Sequence, residues 1–331
     1  MHRILVIGTG SIGERHVRCF LRTGRAIVGI CEPMDERREE VAVRYKVEER
    51  FQTLEQALER DWQAAVIAVP AHLHVPIAAK LAGRKIDLLI EKPLSTTIDG
   101  IETLIRTVKH GGLVVGVAYV YRAHPGVGWL REALDGKKYG KPVQLVITSG
   151  QNFPFYRPAY REIYYTDRAK GGGAIQDCLS HHLNLAEYLV GPIDRIAADA
   201  KHQILEGVEV EDTVHAFARH GEVMSTFSLN QYQAPNETTV TVVCEKGTLR
   251  FELHENRCRL MTEPGGSWID KPLPAMERDD WFVCQEKAYL DAVEQKRPVL
   301  CTLEEGFQTL RVSLAMLKSV EEGGCFRAVT A

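Results

Sequence analysis

Short, mainly apolar runs recur along the first third of the chain, at residues 4–7, 26–31, 64–69, 86–90 and 113–118. The first four stop at Gly8, at Glu32-Pro33, at Pro70 and at Glu91-Lys92-Pro93. Continuous rather than alternating hydrophobicity predicts strands buried on both faces. Between the runs the apolar spacing turns helical, as at Val17, Phe20 and Leu21. Helices are predicted over 14–23, 39–45, 54–59, 72–82 and 96–110. Strands separated by helices in this way predict a parallel, doubly wound α/β sheet.

Past residue 119 the alternation ends. Residues 125–134 predict one helix opened by Pro125, because proline suits the first helical position. Residues 143–149 read as a strand, and 174–189 as a helix behind Gly171, Gly172 and Gly173. From 194 to 258, segments divided by polar turns show partial period-two alternation, predicting an antiparallel sheet of five or six strands with one packed and one wet face. Residues 264–274 read as a proline-rich loop, and helices follow over 280–295 and 303–320. A length of 331 residues suits two domains. The expected division is 1–120 for the doubly wound parallel sheet and 121–331 for an α+β domain with a large, mainly antiparallel open sheet.

Composition narrows the class. Hydrophobic residues make up 45% and charged residues 26%, which excludes wholesale disorder. The formal charge of -3 gives no reason to expect a nucleic-acid partner. Eight cysteines lie singly, without a CxxC pair, so neither a disulfide framework nor a zinc knuckle is expected. The first residues, MHRILVIGTG, do not read as a secretion leader, and no apolar stretch is long enough to suggest a membrane span. A soluble, cytoplasmic protein is the expectation.

The turn after the first run is Gly8-Thr9-Gly10-Ser11-Ile12-Gly13. Strand, glycine turn, helix, second strand and acidic residue follow one another as in the dinucleotide-binding fingerprint of a Rossmann domain. Gly8 permits a tight exit from the strand, Gly10 lets the backbone approach a pyrophosphate, and Gly13 lets the helix lie close on the sheet. Helix-end N–H groups, including those of Ser11 and Ile12, would hold the phosphates. Glu32 is placed to accept both ribose hydroxyls and to repel a 2′-phosphate, which favours NAD over NADP. Arg37 and Arg38 follow closely and leave NADP open.

Ligands of such sheets bind beyond the carboxyl ends of the strands. That rule singles out Pro70, His74, Glu91 and Lys92, and Lys92 reads as a pocket cation beside the nicotinamide. The segment over 151–167 is dense in Tyr, Phe and Arg. It reads either as an irregular loop packed by its own aromatics or as a substrate-facing loop using Tyr156, Arg157 and Tyr160. On the helix after the glycines, Asp177 and His181 stand four apart and share a face, with Asn184 roughly continuing it and His182 turned away. A carboxylate one turn from an imidazole is suited to general acid–base work. Arg122 lies near the change of pattern and is a further candidate for the substrate. No catalytic metal is expected.

The chain resembles the Gfo/Idh/MocA family, the glucose–fructose oxidoreductase and inositol dehydrogenase group, over essentially its whole length. GTGSIG at 8–13, EKP at 91–93 and GGGAIQDCLSHHLNLAEYLVG at 171–191 carry the resemblance. It implies a nicotinamide-dependent oxidoreductase of a sugar, cyclitol or nucleotide-linked sugar, with Lys92, Asp177 and His181 around the reacting carbinol. It also implies a homodimer or homotetramer joined through the second-domain sheet. Family members commonly carry an aspartate where this chain has Asn184, so a hydroxyl contact survives there and a charge does not. Two alternatives stand beside this reading: an NADPH-dependent reductase of a keto-sugar or imine, and a non-catalytic NAD-binding sensor.

Overall fold

The computed structural model describes residues 1–295 and 297–329. Of the expected second domain, Lys296, Thr330 and Ala331 lie outside the described residues. The chain divides into two compact units, Met1–Ala123 with Glu277–Phe307, and His124–Met276 with Gln308–Ala331.

The first unit is built on six strands: β1 (His2–Ile7), β2 (Ala26–Cys31), β3 (Arg50–Phe51), β4 (Ala64–Ile67), β5 (Asp87–Ile90) and β6 (Val115–Val117). They are ordered β3-β2-β1-β4-β5-β6, and every pairing is parallel. Helices α1 (Ser11–Arg22), α2 (Asp35–Tyr45), α3 (Leu54–Ala57), α4 (His74–Ala82) and α5 (Ile101–Gly111) alternate with the strands. Ile4, Leu5, Val6, Val66 and Ile67 are fully buried, as continuous apolar runs require. The strand order reverses between β1 and β4, and the ends of these strands form the crevice in which such sheets bind ligands.

The segment Glu277–Phe307, expected in the second domain, belongs to the first unit. Its helix, Arg278–Gln295, packs on α1. Asp279 takes Arg15 at 3.0 Å and Arg18 at 2.5 Å, Asp280 takes Arg22 at 2.7 Å, and Asp291 takes Arg25 at 2.7 Å. Tyr289, Leu290, Ala292 and Val293 join Val17 and Phe20 in one core. Basic residues on one helix thus match acidic residues on another far along the chain. Order in the sequence assigns that helix to its neighbours, whereas charge and shape assign it to α1.

The second unit carries helix α6 (Pro125–Asp135), strand β7 (Pro142–Gly150), the single turn α7 (Phe153–Tyr156) and helix α8 (Ser180–Val190). Strands β8 (Arg195–Lys201), β9 (Thr213–His220), β10 (Val223–Asn230), β11 (Glu237–Cys244), β12 (Gly247–Glu252), β13 (Arg257–Met261) and β14 (Ile269–Pro272) follow. In chain order come α9 (the helix Arg278–Gln295), α10 (Leu303–Glu321) and β15 (Arg327–Ala328). The sheet has nine strands in the order β14-β13-β12-β11-β7-β10-β9-β8-β15. All neighbours are antiparallel except β7 and β10. The expectation of five or six strands falls short because β7 enters the middle of the sheet. Strands β14 and β15 extend its edges, the former from the segment expected to be a proline-rich loop. Burial alternates along β9, β10 and β11, and α6 and α8 pack against the sheet.

The aromatic segment forms a core of its own. Phe153, Tyr160 and Tyr165 pack with Leu205, Val208 and Val210, and the Asn152 side chain caps α7 by accepting from Phe155 N at 3.1 Å. No helix among the described residues is long and apolar enough to cross a membrane. Phe153→Ala is expected to cost about 3–5 kcal/mol of stability, whereas the outward-facing Phe155→Ala should change it by about 0.5 kcal/mol or less. Chemical denaturation compares the two; equal effects would mean that the segment has no separate core.

Candidate active site

In the first unit the glycine turn joins β1 to α1. Gly8 has φ of 84°, the left-handed region that glycine enters without penalty. A Cβ on Gly13 would lie 1.9 Å from the Gly8 carbonyl oxygen, so only glycine lets α1 approach the turn so closely. A Cβ on Gly10 would meet nothing within 4 Å. Gly10 starts α1 without a side-chain cap, leaving the first N–H groups facing outward with the positive helix end behind them. Ser11 is exposed, and Ile12 is half-buried against the core. Open space, uncapped N–H groups and a helix dipole suit a pyrophosphate.

Glu32, at the end of β2, is buried. One carboxylate oxygen accepts from Thr9 N at 2.9 Å and Thr9 Oγ1 at 3.2 Å, and the other from Met34 N at 3.1 Å. The carboxylate therefore braces the glycine turn. Arg38 donates to the Glu32 carbonyl oxygen at 2.9 Å and pairs with Asp35 at 2.5 Å, and Arg37 is exposed.

Lys92 follows directly on β5 and is half-buried between the buried Glu91 and Pro93; the Lys92-Pro93 peptide bond is cis. Glu91 Oε2 accepts from Lys92 N at 3.0 Å. Glu91 Oε1 meets His16 Nε2 at 2.8 Å, and His16 Nδ1 meets Glu286 Oε1 at 2.6 Å. His16 and Glu286 are fully buried. Burial alone would lower the His16 pKa, but the carboxylates of Glu286 and Glu91 push it up to about 10. Glu286 is itself raised, by burial, against the pull of His16. His16 and Glu286 were not singled out by sequence, since neither stands at a strand end.

His74, expected at the cofactor, is buried with Nδ1 3.0 Å from the Pro93 carbonyl oxygen and Nε2 2.7 Å from that of Val69. Burial lowers its pKa. Its ring nitrogens therefore face backbone carbonyls, one in the Lys92 turn and one just after β4, rather than a ligand. Pro70 is exposed at the end of β4. Arg122, expected at the substrate, is buried and donates to the Leu300 carbonyl at 2.9 Å and to Glu305 at 2.6 Å. A guanidinium buried in this way clamps the segment that brings the chain into α10.

In the second unit, the expected single helix over 174–189 begins as a π-helix, Ile175–Leu179, before α8. The wider turn changes the relation assumed between Asp177 and His181, because a π turn takes in one more residue. Asp177 is buried; Tyr164 donates to Oδ1 at 2.7 Å and Arg157 to Oδ2 at 2.9 Å. The π segment starts from Gly173, where a Cβ would lie 2.5 Å from Glu211 Oε1. Glu211 accepts from Ile175 N at 3.1 Å and from Arg168 at 2.7 Å. His181 is half-buried, whereas His182 and Asn184 are buried. Burial drops the His182 pKa to about 4. Asn184, expected to meet a substrate hydroxyl, donates to Thr309 Oγ1 at 3.0 Å inside the unit.

The aromatic segment is packed by its own side chains. Tyr160 is a core residue whose hydroxyl donates to the Glu206 carbonyl at 2.7 Å, so the expected substrate contact gives way to packing. Arg157 instead lies over Phe153 and reaches Asp177, and Tyr156 is largely exposed. Tyr164 and Glu211 were missed by sequence; one aromatic among many and one acid among many carry no distinguishing spacing. Among the described residues, no group of three or more His, Cys, Asp or Glu is arranged to hold a metal ion.

Residues 2–119 match a family model described as the GFO/IDH/MocA oxidoreductase family, NAD-binding Rossmann fold, and residues 127–250 match the GFO/IDH/MocA C-terminal domain. The chain is 28% identical over 196 residues to inositol 2-dehydrogenase/D-chiro-inositol 3-dehydrogenase of Shouchella clausii, a match covering 57% of this chain and 53% of that one. It thus spans about half the length of that relative. It is 23% identical over 322 residues to UDP-N-acetylglucosamine 3-dehydrogenase of Acidithiobacillus ferrooxidans, covering 96% of each. The solved structure of levoglucosan dehydrogenase in complex with NADH and levoglucosan superposes with a TM-score of 0.90 at 19% identity, covering 100% of each chain. At that identity the likeness is one of fold.

The raised His16 pKa has a consequence for stability. Its contribution is fully present below the unfolded value of 6.5 and is lost as pH rises through about 10. Thermal unfolding of the wild type and His16→Gln across that window checks this. The wild-type advantage is expected to shrink toward high pH, and a gap that stays constant contradicts it.

Proposed function

The chain belongs to the Gfo/Idh/MocA family of oxidoreductases, and from that membership we propose that it is an NAD-dependent dehydrogenase of a secondary alcohol. The substrate class is a sugar, a cyclitol or a nucleotide-linked sugar, the compounds named for the relatives above. One observation carries the reading. Lys92 follows β5 in the same parallel sheet whose β1 and β2 ends bear the glycine turn and Glu32. A strand-end cation and a phosphate-binding turn thus share the edge at which such sheets hold ligands.

Bound NAD supplies the hydride acceptor at C4 of its nicotinamide. The uncapped start of α1 and the open face of Gly10 hold the pyrophosphate, and Glu32 accepts ribose hydroxyls. Its negative charge, with Arg38 already turned to the Glu32 carbonyl and to Asp35, supports NAD over NADP. Lys92 hydrogen-bonds the alcohol oxygen and stabilises the negative charge that develops there. His181 takes the hydroxyl proton and returns it in the reductive direction. Asp177, held by Tyr164 and Arg157, offers a fixed acceptor to a neighbouring hydroxyl.

Oxidation of myo-inositol, levoglucosan, UDP-N-acetylglucosamine and related polyols, followed by nicotinamide absorbance with NAD and separately with NADP, tests the reading. Turnover of one compound with NAD is expected to fall by about a hundredfold or more in Lys92→Ala and in His181→Ala. Turnover unaffected by either substitution would remove both residues from the reaction.

The chain assembles as a homodimer or homotetramer through the open face of the nine-stranded sheet. Phe217 and Met224, on the adjacent strands β9 and β10, are 60% and 51% exposed, which supports that surface as the interface. Phe217→Glu is expected to reduce the mass measured by light scattering to that of the monomer. An unchanged oligomer would locate the interface elsewhere.

A further inference from the structure

We infer that His16 is a positioning residue for Lys92, acting through Glu91. The inference rests on the role given to Lys92 above and adds to it the device that sets the lysine in place.

Three hydrogen bonds define that device. Glu91 uses one oxygen for Lys92 N at 3.0 Å and the other for His16 Nε2 at 2.8 Å, and His16 in turn is anchored at Nδ1 by Glu286 at 2.6 Å. The backbone of Lys92 is therefore tied to the side chain before it, and that side chain to an imidazole on α1. Both His16 and Glu286 are fully buried, and Glu91 is 5% exposed, so water does not compete for these bonds. The turn is held from its other side by His74, which meets the Pro93 carbonyl at 3.0 Å. Glu91 N donates to the Ile67 carbonyl at 3.0 Å and Ala118 N to that of Ile90 at 2.8 Å, so β4 and β6 fix the strand from which the turn leaves.

A packing role alone would be met by any apolar side chain of similar volume. Two carboxylates converging on the same ring are not explained by packing, because burying them costs free energy unless they are paired. The ring nitrogens are also unequal in consequence: Nε2 faces the carboxylate that holds Lys92, whereas Nδ1 faces only the anchor. His16 lies on the helix whose first turn is read as the pyrophosphate site, so the same helix that meets the cofactor sets the depth of the lysine.

The inequality gives the test. Glutamine carries its amide at about the depth of Nε2 and asparagine at that of Nδ1, so His16→Gln keeps the donor to Glu91 while His16→Asn keeps only the contact with Glu286. With whichever of myo-inositol, levoglucosan or UDP-N-acetylglucosamine turns over, kcat is expected to fall by about thirtyfold or more in His16→Asn and by about threefold or less in His16→Gln. KM for NAD should stay within about threefold in both variants. A second readout needs no substrate. Acetylation of Lys92 by acetic anhydride in the NAD-saturated protein, quantified by mass spectrometry, is expected to quicken by about threefold or more in His16→Asn and to stay near wild type in His16→Gln.

If the two variants behave alike in kcat and in labelling, His16 is a packing residue and the inference falls. If Lys92→Ala leaves turnover intact, the catalytic reading of Lys92 fails separately, and the labelling comparison still decides whether His16 positions it.

Discussion

A buried imidazole between two carboxylates is the constraint on which the first unit turns. His16 joins α1 to the end of β5 through Glu91 and to α9 through Glu286. Taking away one member of such a set leaves a buried charge without its partner, at a cost of about 3–5 kcal/mol. The three elements therefore keep one register. The part-buried pairs of Asp279 with Arg15 and Arg18 follow the same seam. They extend a fit that the buried network makes necessary. A helix far along the chain becomes part of the nucleotide-binding unit for this reason.

The second unit solves a similar problem with different parts. A buried carboxylate needs donors, and Asp177 has Tyr164 and Arg157. Both come from a segment with few regular elements, packed on a core that includes Phe153, Tyr160 and Tyr165. Glu211 then fixes the glycine-rich entry to the π-helix by accepting from Ile175 N and Arg168. In each unit a charged residue proposed for catalysis stands on backbone held by a second, fully or nearly buried carboxylate.

Much of this was legible in sequence because its causes are local. Five of the six parallel strands announced themselves as short, mainly apolar runs, whereas the two-residue β3 (Arg50–Phe51) carries no such run, and Gly8 and Gly13 stand where a turn and a close helix approach exclude a Cβ. What sequence left out depends on contacts between distant segments. Nothing near Glu286 distinguishes it from its acidic neighbours until α9 is laid on α1. The parallel pairing of β7 with β10 needs the whole sheet, and the π turn before Ser180 obeys packing against Glu211 rather than any propensity. Tyr160, Arg122 and Asn184 were expected at the substrate from their chemistry. Each is instead satisfied inside its own unit, by the Glu206 carbonyl, by Glu305 and Leu300, and by Thr309.

The most direct measurement is calorimetric titration of the purified protein with NAD and with NADP. NAD is expected to bind at one site per chain, about tenfold or more tighter than NADP, since Glu32 opposes a 2′-phosphate. Equal affinities would contradict the role given to Glu32. Binding of neither nicotinamide would contradict the assignment of the glycine turn, and with it the proposed dehydrogenase.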